Sequence, residues 1–339
     1  MTETIKWSFS ADRCMRRCPR QFFLQHKAAW HSTRDPARKE AFLLKQVKTL
    51  ELWQGTLVHR AIELHVVPAL QEDGEVDWAR VVDAAARMAR RQWDFSAARR
   101  YREAGMTKNA AGDDYCALAG HEPGTTASDE DFDRTVETVR SALTNLSTMS
   151  PLWEEVRGRG KYWPELEVRV DYDIAHVEAY IDLLFFRGYG KPTIVDWKIS
   201  ESNGGGDADL QTAVYAWALC RHPKWAVTRP EDCVLLEVQL LRNTVLHHRA
   251  DQATFDALEN RIYRSVDEMR AMGFGEKYDI ANLENYEFAE NPNNCAFCSV
   301  RSLCQELAVG SASSSKKANI HGKLRQRERN YEPAHPQLF

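Results

Sequence analysis

The feature that most constrains this chain is a pair of apolar runs that each carry a carboxylate. Ala179-Tyr180-Ile181-Asp182-Leu183-Leu184-Phe185-Phe186 is followed, after a Gly-containing break, by Ile194-Val195-Asp196-Trp197-Lys198. Both runs are rich in β-branched or aromatic residues and read as strands. Alternate side chains of a strand share a face, so Asp196 and Lys198 point one way and Trp197 the other. A turn at Gly188-Tyr189-Gly190-Lys191-Pro192 would bring Asp182 beside Asp196 on the neighbouring strand. Charged groups seldom sit in an apolar sheet without a partner or a function. Two carboxylates and an ammonium on one hairpin suit metal-assisted phosphodiester hydrolysis. Hard Mg²⁺ or Mn²⁺ takes carboxylate oxygens, and such an ion polarises a phosphate and acidifies a water. The lysine would orient the attacking water or offset charge on the phosphorane. An Asp-x-Lys triplet also occurs on solvated strands, so the rest of the chain has to decide.

Around this hairpin the pattern is α/β. Strand signals cover 162–170, 177–187 and 193–199. A polar Gly-rich loop at 200–206 leads into a helix over 207–219, where Gln211 and Tyr215 form an i,i+4 pair on one face. Strands over 233–241 and 244–249 and a helix over about 252–272 follow, which argues a mixed central sheet flanked by helices. Upstream, 8–30 reads as a helix with Arg13, Arg16, Arg17 and Arg20, in which Pro19 marks a kink or a new start. Cys14 and Cys18, four apart, would share a face of that helix. The polar stretch 34–46 reads as a mobile connection, and a helix opening at Leu52 carries His59. Helices over 77–102 and 129–149, the first with Arg87, Arg90, Arg91, Arg99 and Arg100, separate His59 from the strands and read as a helical insertion. Those arginines suit either phosphate tracking or a solvated surface.

A chain of 339 residues with a net charge of -4 holds one large domain or two ordinary ones and is no basic nucleic-acid coat. Any nucleic-acid contact has to come from local patches. No apolar run approaches the ~20 residues that cross a bilayer, and the N-terminus lacks the basic-then-apolar pattern of a signal peptide. The expectation is a cytoplasmic protein with no membrane partner. In a reducing compartment, clustered thiols suggest metal ligation. Cys295, Cys298 and Cys304, spaced C-x₂-C-x₅-C, can surround one centre with a fourth ligand from elsewhere. Zinc and [4Fe–4S] both accept four thiolates, and spacing does not separate them. Cys116, Cys220 and Cys233 are scattered and read as packing residues. The tail, 309–339, is Ser-rich and then basic and reads as flexible, ending in Gln337-Leu338-Phe339, which faintly resembles a sliding-clamp peptide.

Taken together, these pieces resemble the PD-(D/E)XK nuclease superfamily, in particular its RecB-like/Cas4-like (AddB-type) branch with a four-cysteine iron–sulfur cluster. Cys18-Pro19-Arg20-Gln21-Phe22-Phe23-Leu24 looks like the N-terminal cysteine motif, and Gly55-Thr56-Leu57-Val58-His59 like the G-x-x-x-H helix. Asp182 looks like the first metal-binding acid, Asp196-Trp197-Lys198 like the acid-x-lysine motif, and Gln211 with Tyr215 like the Q-x-x-x-Y helix. Cys295, Cys298 and Cys304 look like the terminal triad. The likeness spans 8–304 apart from the helical middle, and the joint order of the motifs is its specificity.

The resemblance implies a restriction-endonuclease-like core: one RecB-like nuclease domain over 1–308, with a helical insertion over about 75–160 and a cysteine segment over 291–304. It implies that His59, Asp182, Asp196 and the Trp197 backbone carbonyl bind Mg²⁺ or Mn²⁺, that Lys198 assists the attacking water, and that Gln211 and Tyr215 position DNA or the lysine. It implies a [4Fe–4S] cluster on Cys18, Cys295, Cys298 and Cys304, clipping the N-terminal helix to the C-terminal segment. Structural Zn²⁺ is the alternative metal, and Cys14 competes with Cys18 as fourth ligand. A further family glutamate falls on Glu165 or Glu167, between which the sequence does not choose. The implied activity is a metal-dependent deoxyribonuclease, exonuclease rather than endonuclease, on single-stranded or linear DNA ends in repair, recombination or CRISPR adaptation. No G-x-x-x-x-G-K-[ST] loop is present, so unwinding would fall to a helicase partner. The alternative is a non-catalytic DNA-end-binding or assembly subunit with a structural cluster.

Overall fold

Six strands form one mixed sheet: β1 (Ile5–Trp7), β2 (Tyr162–Tyr172), β3 (Ala175–Arg187), β4 (Lys191–Lys198), β5 (Val234–Gln239) and β6 (Thr244–His248). The computed structural model describes residues 4–312 except 159, 188–190, 200–206, 226 and 228. The Gly188–Gly190 turn, the 200–206 loop and the tail beyond 312 therefore lie outside the described residues. β3 is the axis of the sheet. β2 runs antiparallel along one of its edges. The other edge is shared by β1, parallel at Ala175–Val177, and β4, antiparallel at Leu183–Arg187. β5 then lies parallel to β4, and β6 antiparallel to β5.

The helices are α1 (Phe9–Arg17), α2 (Pro19–Phe22), α3 (Pro36–Leu44), α4 (Leu50–Ala61), α5 (Val67–Gln71), α6 (Trp78–Ala97), α7 (Lys108–Ala111), α8 (Asp129–Thr148), α9 (Ser150–Val156), α10 (Asp207–Arg221), α11 (Gln252–Ala271) and α12 (Arg301–Ala312). Their starts follow local chemistry. Ser8 caps α1 and Thr49 caps α4. Ser128 with Asp131, and Asp251 with Thr254, close reciprocal capping pairs on α8 and α11.

Two apolar cores lie on opposite faces of the sheet. On β4, Ile194 joins one and Val195 and Trp197 the other; on β5, Leu235 and Leu236 divide the same way. The first core takes Val214 and Trp217 of α10, Ile262 and Val266 of α11 and Phe9 of α1. The second takes Leu57 of α4, Met88 of α6 and Leu143 of α8. The helical middle of the chain is thus the second layer on the sheet, closing the face to which Trp197 points.

Alternation along β3 does not run unbroken. Ala175, Val177, Ala179 and Ile181 enter the first core, yet Leu183 and Phe185, of the same parity, enter the second. β2 changes with it: Val168 and Val170 belong to the first core and Tyr162 to the second. The change falls at Glu165 on β2 and Asp182 on β3, the one opposed position between Pro164↔Leu183 and Leu166↔Ile181 without a paired bridge. Glu165 has φ 44°, a left-handed conformation that side-chain-bearing residues rarely adopt.

Three local expectations are corrected. Of the two readings of Pro19 the new start holds: Cys18 is extended (φ -163°, ψ 104°), ending α1 and capping α2, which Pro19 opens. Cys14 and Cys18 therefore share no helical face. Within 34–46 there is a helix, α3, because Asp35 caps it ahead of Pro36, and Ala41 and Leu44 are buried. Cys220 and Cys233 are not scattered but neighbours in space, each perturbing the other's thiol, Cys220 downward and Cys233 upward. β1 was not anticipated at all; three residues give too short a pattern.

Asp12 of α1 is fully buried and joins α1 to α11 through charge. Arg16 donates to it at 3.1 Å and Arg261 of α11 at 2.8 Å. Removing the carboxylate strands two guanidinium groups that retain some exposure, so Asp12→Ala is expected to cost about 3 kcal/mol, the lower end for a broken buried pair. Urea unfolding of the two proteins measures this; a difference within about 0.5 kcal/mol, that of an ordinary surface substitution, would contradict the pairing.

Candidate active site

Strand alternation sends Asp196 and Lys198 to the α10 face of β4. Asp196 is 2% exposed. Its Oδ2 lies 2.7 Å from Lys198 Nζ. Lys198 also donates to Gln211 Oε1 at 3.0 Å. Gln211 Nε2 donates to Tyr215 Oη at 2.6 Å and to Asp196 Oδ1 at 3.4 Å, and Tyr215 donates to the same oxygen at 3.4 Å. Burial, with Asp196 and Asp182 nearby, holds the Tyr215 phenol well above its usual pKa, so it stays a donor. The four side chains form a closed circuit in which the lysine ammonium has a fixed direction.

Asp182 stands one step beyond the last β3–β4 pair, Leu183↔Val195. Its Oδ2 accepts the Trp197 backbone N–H at 2.8 Å, so a side chain takes over where the strand ladder ends. On its other oxygen it meets His59 Nδ1 at 3.5 Å, and Glu165 Oε1 is 3.4 Å from the same nitrogen. The Trp197 carbonyl lies 3.0 Å from His59 Nε2. Burial pushes the Asp182 carboxyl up to about 7; His59 opposes this and Asp196 adds to it. Burial pulls the His59 imidazolium down, but Asp182 and Glu165 outweigh it and hold the ring at about 9.

His59, Glu165 and Asp182 offer ligand atoms within 4.8 Å of one another, the one such set among the described residues. Octahedral Mg²⁺, with ligands at about 2.1 Å, spaces them about 3 to 4.2 Å apart, so this nitrogen-and-oxygen set fits a hard divalent ion. Glu165, not Glu167, is the glutamate brought here. Glu167 accepts from Tyr180 at 2.7 Å and Arg169 at 2.9 Å on the outer surface.

His59 opens onto a cleft of about 620 Å³ between α4 and the strands, walled in part by Gly55, Thr56, Glu165 and Lys198. A Cβ on Gly55 would meet nothing within 4 Å. Packing does not require that glycine, and in mid-helix it costs about 1 kcal/mol against alanine. What its bare backbone provides is open space beside His59. None of Arg87, Arg90, Arg91, Arg99 or Arg100 lines the cleft. Arg90 lies over Phe132 at 3.6 Å, Arg91 pairs with Asp114 at 2.7 Å and Arg99 donates to the His121 carbonyl at 2.7 Å. Arg90, Arg91 and Arg99 are thus engaged within the helical layer, in keeping with the surface reading.

Sequence reasoning missed a second polar group next door. Glu237 and Gln239 of β5 lie in register with Asp196 and Lys198 and are both buried. Gln239 donates to Glu237 at 2.8 Å. His248 bridges Glu237 at 3.1 Å and Asp209 of α10 at 2.5 Å, tying the helix that carries Gln211 to the sheet. The available signal was a glutamate inside Val234-Leu235-Leu236-Glu237-Val238.

The cysteines lie elsewhere, where the segment of α1 and α2 meets the one leading into α12. The Cys298 thiol is raised to about 11, by burial first and by the nearby Cys18, Cys304 and Cys295, with the Val300 backbone opposing. Cys304 is likewise raised, by burial first and by Cys18 and Cys295, with Arg20 opposing. Thiols that burden one another in this way are the kind a cationic centre would relieve, since it takes them as thiolates. Cys14 donates to Gln25 Oε1 at 3.5 Å, and burial raises its thiol to about 12. The same junction is held by the Arg20 N–H on the Glu287 carbonyl, Gln25 on Ser299, and Asn294 on the Arg17 carbonyl.

A family model of the PD-(D/E)XK nuclease superfamily matches residues 6–305. No curated protein matches the chain. Among solved structures, one described as the crystal structure of SSO0001 is similar over 52% of this chain and 77% of that chain, with 12% identity and a TM-score of 0.28. A likeness that weak says nothing of function.

The titration of the site carries a sign that can be tested. Asp182 and His59 both have native pKa values above their ordinary 3.8 and 6.5, at about 7 and about 9. The native state therefore holds their protons more tightly, and that stability is complete below the ordinary value and lost as pH rises through the native one. Chelated protein is expected to lose stability from pH 6.5 to about 9, where His59 deprotonates. Stabilisation by added Mn²⁺ should grow over the same window, because the ion competes with those protons. Thermal unfolding of wild type and His59→Gln, with EDTA or Mn²⁺, measures the difference. A wild-type profile in EDTA that matches His59→Gln across the window contradicts the assignment.

Proposed function

The chain belongs to the PD-(D/E)XK nuclease superfamily, and on that premise we propose that it is a divalent-metal-dependent deoxyribonuclease that degrades single-stranded or linear DNA from an end. The observation that carries the reading is that two differently built groups adjoin one cleft, reaching it through Lys198 on one side and His59 and Glu165 on the other. Asp196, Lys198, Gln211 and Tyr215 form a locked circuit on one side, and His59, Glu165 and Asp182 a cation-binding set on the other. His59, Glu165, Asp182 and Asp196, with the Trp197 carbonyl, would hold Mg²⁺ or Mn²⁺. When bound, the ion polarises the phosphate and acidifies a water. Lys198 has its ammonium fixed by Asp196 and Gln211, and it orients the attacking water and offsets charge developing on the phosphate. Gln211 and Tyr215 are positioning residues: they keep Asp196 and Lys198 from turning away when DNA enters. The cleft lies between a helix and strand ends, which favours one threaded strand over a duplex laid across and hence exonuclease action.

Within the superfamily the reading is RecB-like/Cas4-like, with Cys18, Cys295, Cys298 and Cys304 holding a [4Fe–4S] cluster. Cys18 is preferred to Cys14 because it neighbours both Cys298 and Cys304, whereas Cys14 neighbours Cys298 alone of the three and turns its thiol to Gln25. Zinc would draw four thiolates to about 4 Å of one another at Zn–S ≈ 2.3 Å. A [4Fe–4S] cluster takes the same four thiolates, and metal analysis separates the two. In this placement the protein works in repair, recombination or CRISPR adaptation beside a helicase or related partner that presents the strand.

The test is digestion of end-labelled single-stranded and duplex DNA by anaerobically purified protein in Mg²⁺ or Mn²⁺, with Asp196→Asn alongside. Metal-dependent shortening from one end is expected, and Asp196→Asn should lower kcat by about 10³-fold or more. DNA binding without cleavage in any metal would instead make the chain an end-binding subunit. The cluster is checked by iron and sulfide content, expected at about four of each per chain. Colourless protein carrying one zinc would replace the cluster with a structural zinc site.

A further inference from the structure

Beside the cleft lies a smaller cavity of about 170 Å³. Thr56 and Arg60 of α4 line both spaces. The far wall of the small one comes from the helical middle of the chain, through Gln92, Lys108 and Asp113, and the near wall from Lys48. Its charge is unbalanced. Arg60 is already engaged, donating to Glu63 at 2.6 Å and to Asp113 at 2.9 Å. Lys48 donates only to the Thr56 hydroxyl, at 2.9 Å, and among the described residues no carboxylate pairs with it or with Lys108. Burial holds the Lys48 ammonium below its usual pKa; the nearby Cys116 opposes this and Lys108 adds to it. Lys48 and Lys108 thus line one cavity, together with Thr56, whose hydroxyl donates to the Leu52 carbonyl, and its lone acid, Asp113, is spent on Arg60.

The space equals roughly five or six waters at about 30 Å³ each. That is room for a tetrahedral oxyanion with water. Thr56 and His59 are three residues apart on α4, so their Cβ atoms stand about 5–6 Å apart, the scale on which phosphates follow one another along a strand. We propose that this cavity is a phosphate subsite for the nucleic-acid strand in the cleft, with Lys48 and Lys108 binding a phosphate neighbouring the one held at His59. The inference rests on the nuclease reading and gives the helical middle a role in binding, since Lys108 completes from across the gap a site that α4 begins.

The experiment is fluorescence anisotropy of a labelled single-stranded oligonucleotide, with Ca²⁺ in place of the catalytic ion, across a salt titration. Lys48→Gln and Lys108→Gln are each expected to weaken binding about 3- to 10-fold and to flatten the log Kd against log salt slope by about 0.7. Lys108→Gln, at an exposed position, guards against a folding defect in the variant of half-buried Lys48, and Lys108→Arg should restore affinity and slope. Wild-type binding with affinity and slope unchanged in both glutamine variants overturns the subsite and leaves the nuclease reading standing. No wild-type binding at all overturns both. An effect that persists on an oligonucleotide lacking terminal phosphates assigns the cavity to an internal phosphodiester. Confinement of the effect to phosphorylated ends assigns it to a terminal phosphate.

Discussion

The interaction on which the site depends is the hydrogen bond from the Trp197 backbone to the Asp182 carboxylate. Up to Leu183↔Val195, β3 and β4 are joined by an ordinary ladder. One residue further a side chain replaces the backbone as acceptor, and the strands are free to part. On the other edge the β2–β3 ladder skips the same level, where Glu165 sits left-handed. Asp182 is thus released from both neighbours at one height. Without that break, alternation would commit its carboxylate to one face of the sheet. With it, Asp182 stands between the faces, where His59 from the second core and Asp196 on the first can both approach it.

This explains why the two halves of the site are built so differently. Asp196 belongs to a regular strand over a helix, and its circuit with Lys198, Gln211 and Tyr215 is rigid because each member has at least two partners. Asp182, Glu165 and His59 come from an irregular position and a separate helix, and burial works against the charged forms of Asp182 and His59. Backbone strain at a functional position persists only where the surroundings impose it. Here the imposition is the paired register on both sides of Glu165, from Tyr162↔Phe185 to Tyr172↔Ala175. The rigid half fixes direction, and the irregular half provides a pocket for positive charge.

The strands, the helix carrying Gln211 and Tyr215, and the pairing of those two residues were legible because period-two and i,i+4 patterns are local. Glu165 was not separable from Glu167 because the two share a strand parity; what distinguishes them is the kink, which arises from tertiary pairing and leaves no mark in composition. Glu237 was visible as a charge inside an apolar strand and was passed over for lack of a motif. Its partner His248, on the next strand, becomes meaningful only through the β5–β6 register. Cys18 was placed on a helix face because α1 and α2 are almost contiguous, and the extended residue between them is dictated by Pro19, whose ring disfavours a helical conformation in the residue before it.

The position of Cys18 bears on what a cluster would add. The N-terminal segment already docks on the C-terminal one through Phe23 against Tyr286 at 4.6 Å, Phe22 against Phe274 at 4.7 Å and Arg20 over Phe288 at 4.2 Å. It is also tied by main-chain and side-chain hydrogen bonds on both sides of Cys18. A clip at that point closes a loop containing nearly the whole described chain, and the cost of closing a loop grows only slowly with its length. Apolar docking and hydrogen bonds can therefore bring the segments together first. The thiols then meet at a break in the helix where backbone direction is free to adjust. On this ordering the junction is preformed by packing, and a metal centre there would lock a closure that the protein has made.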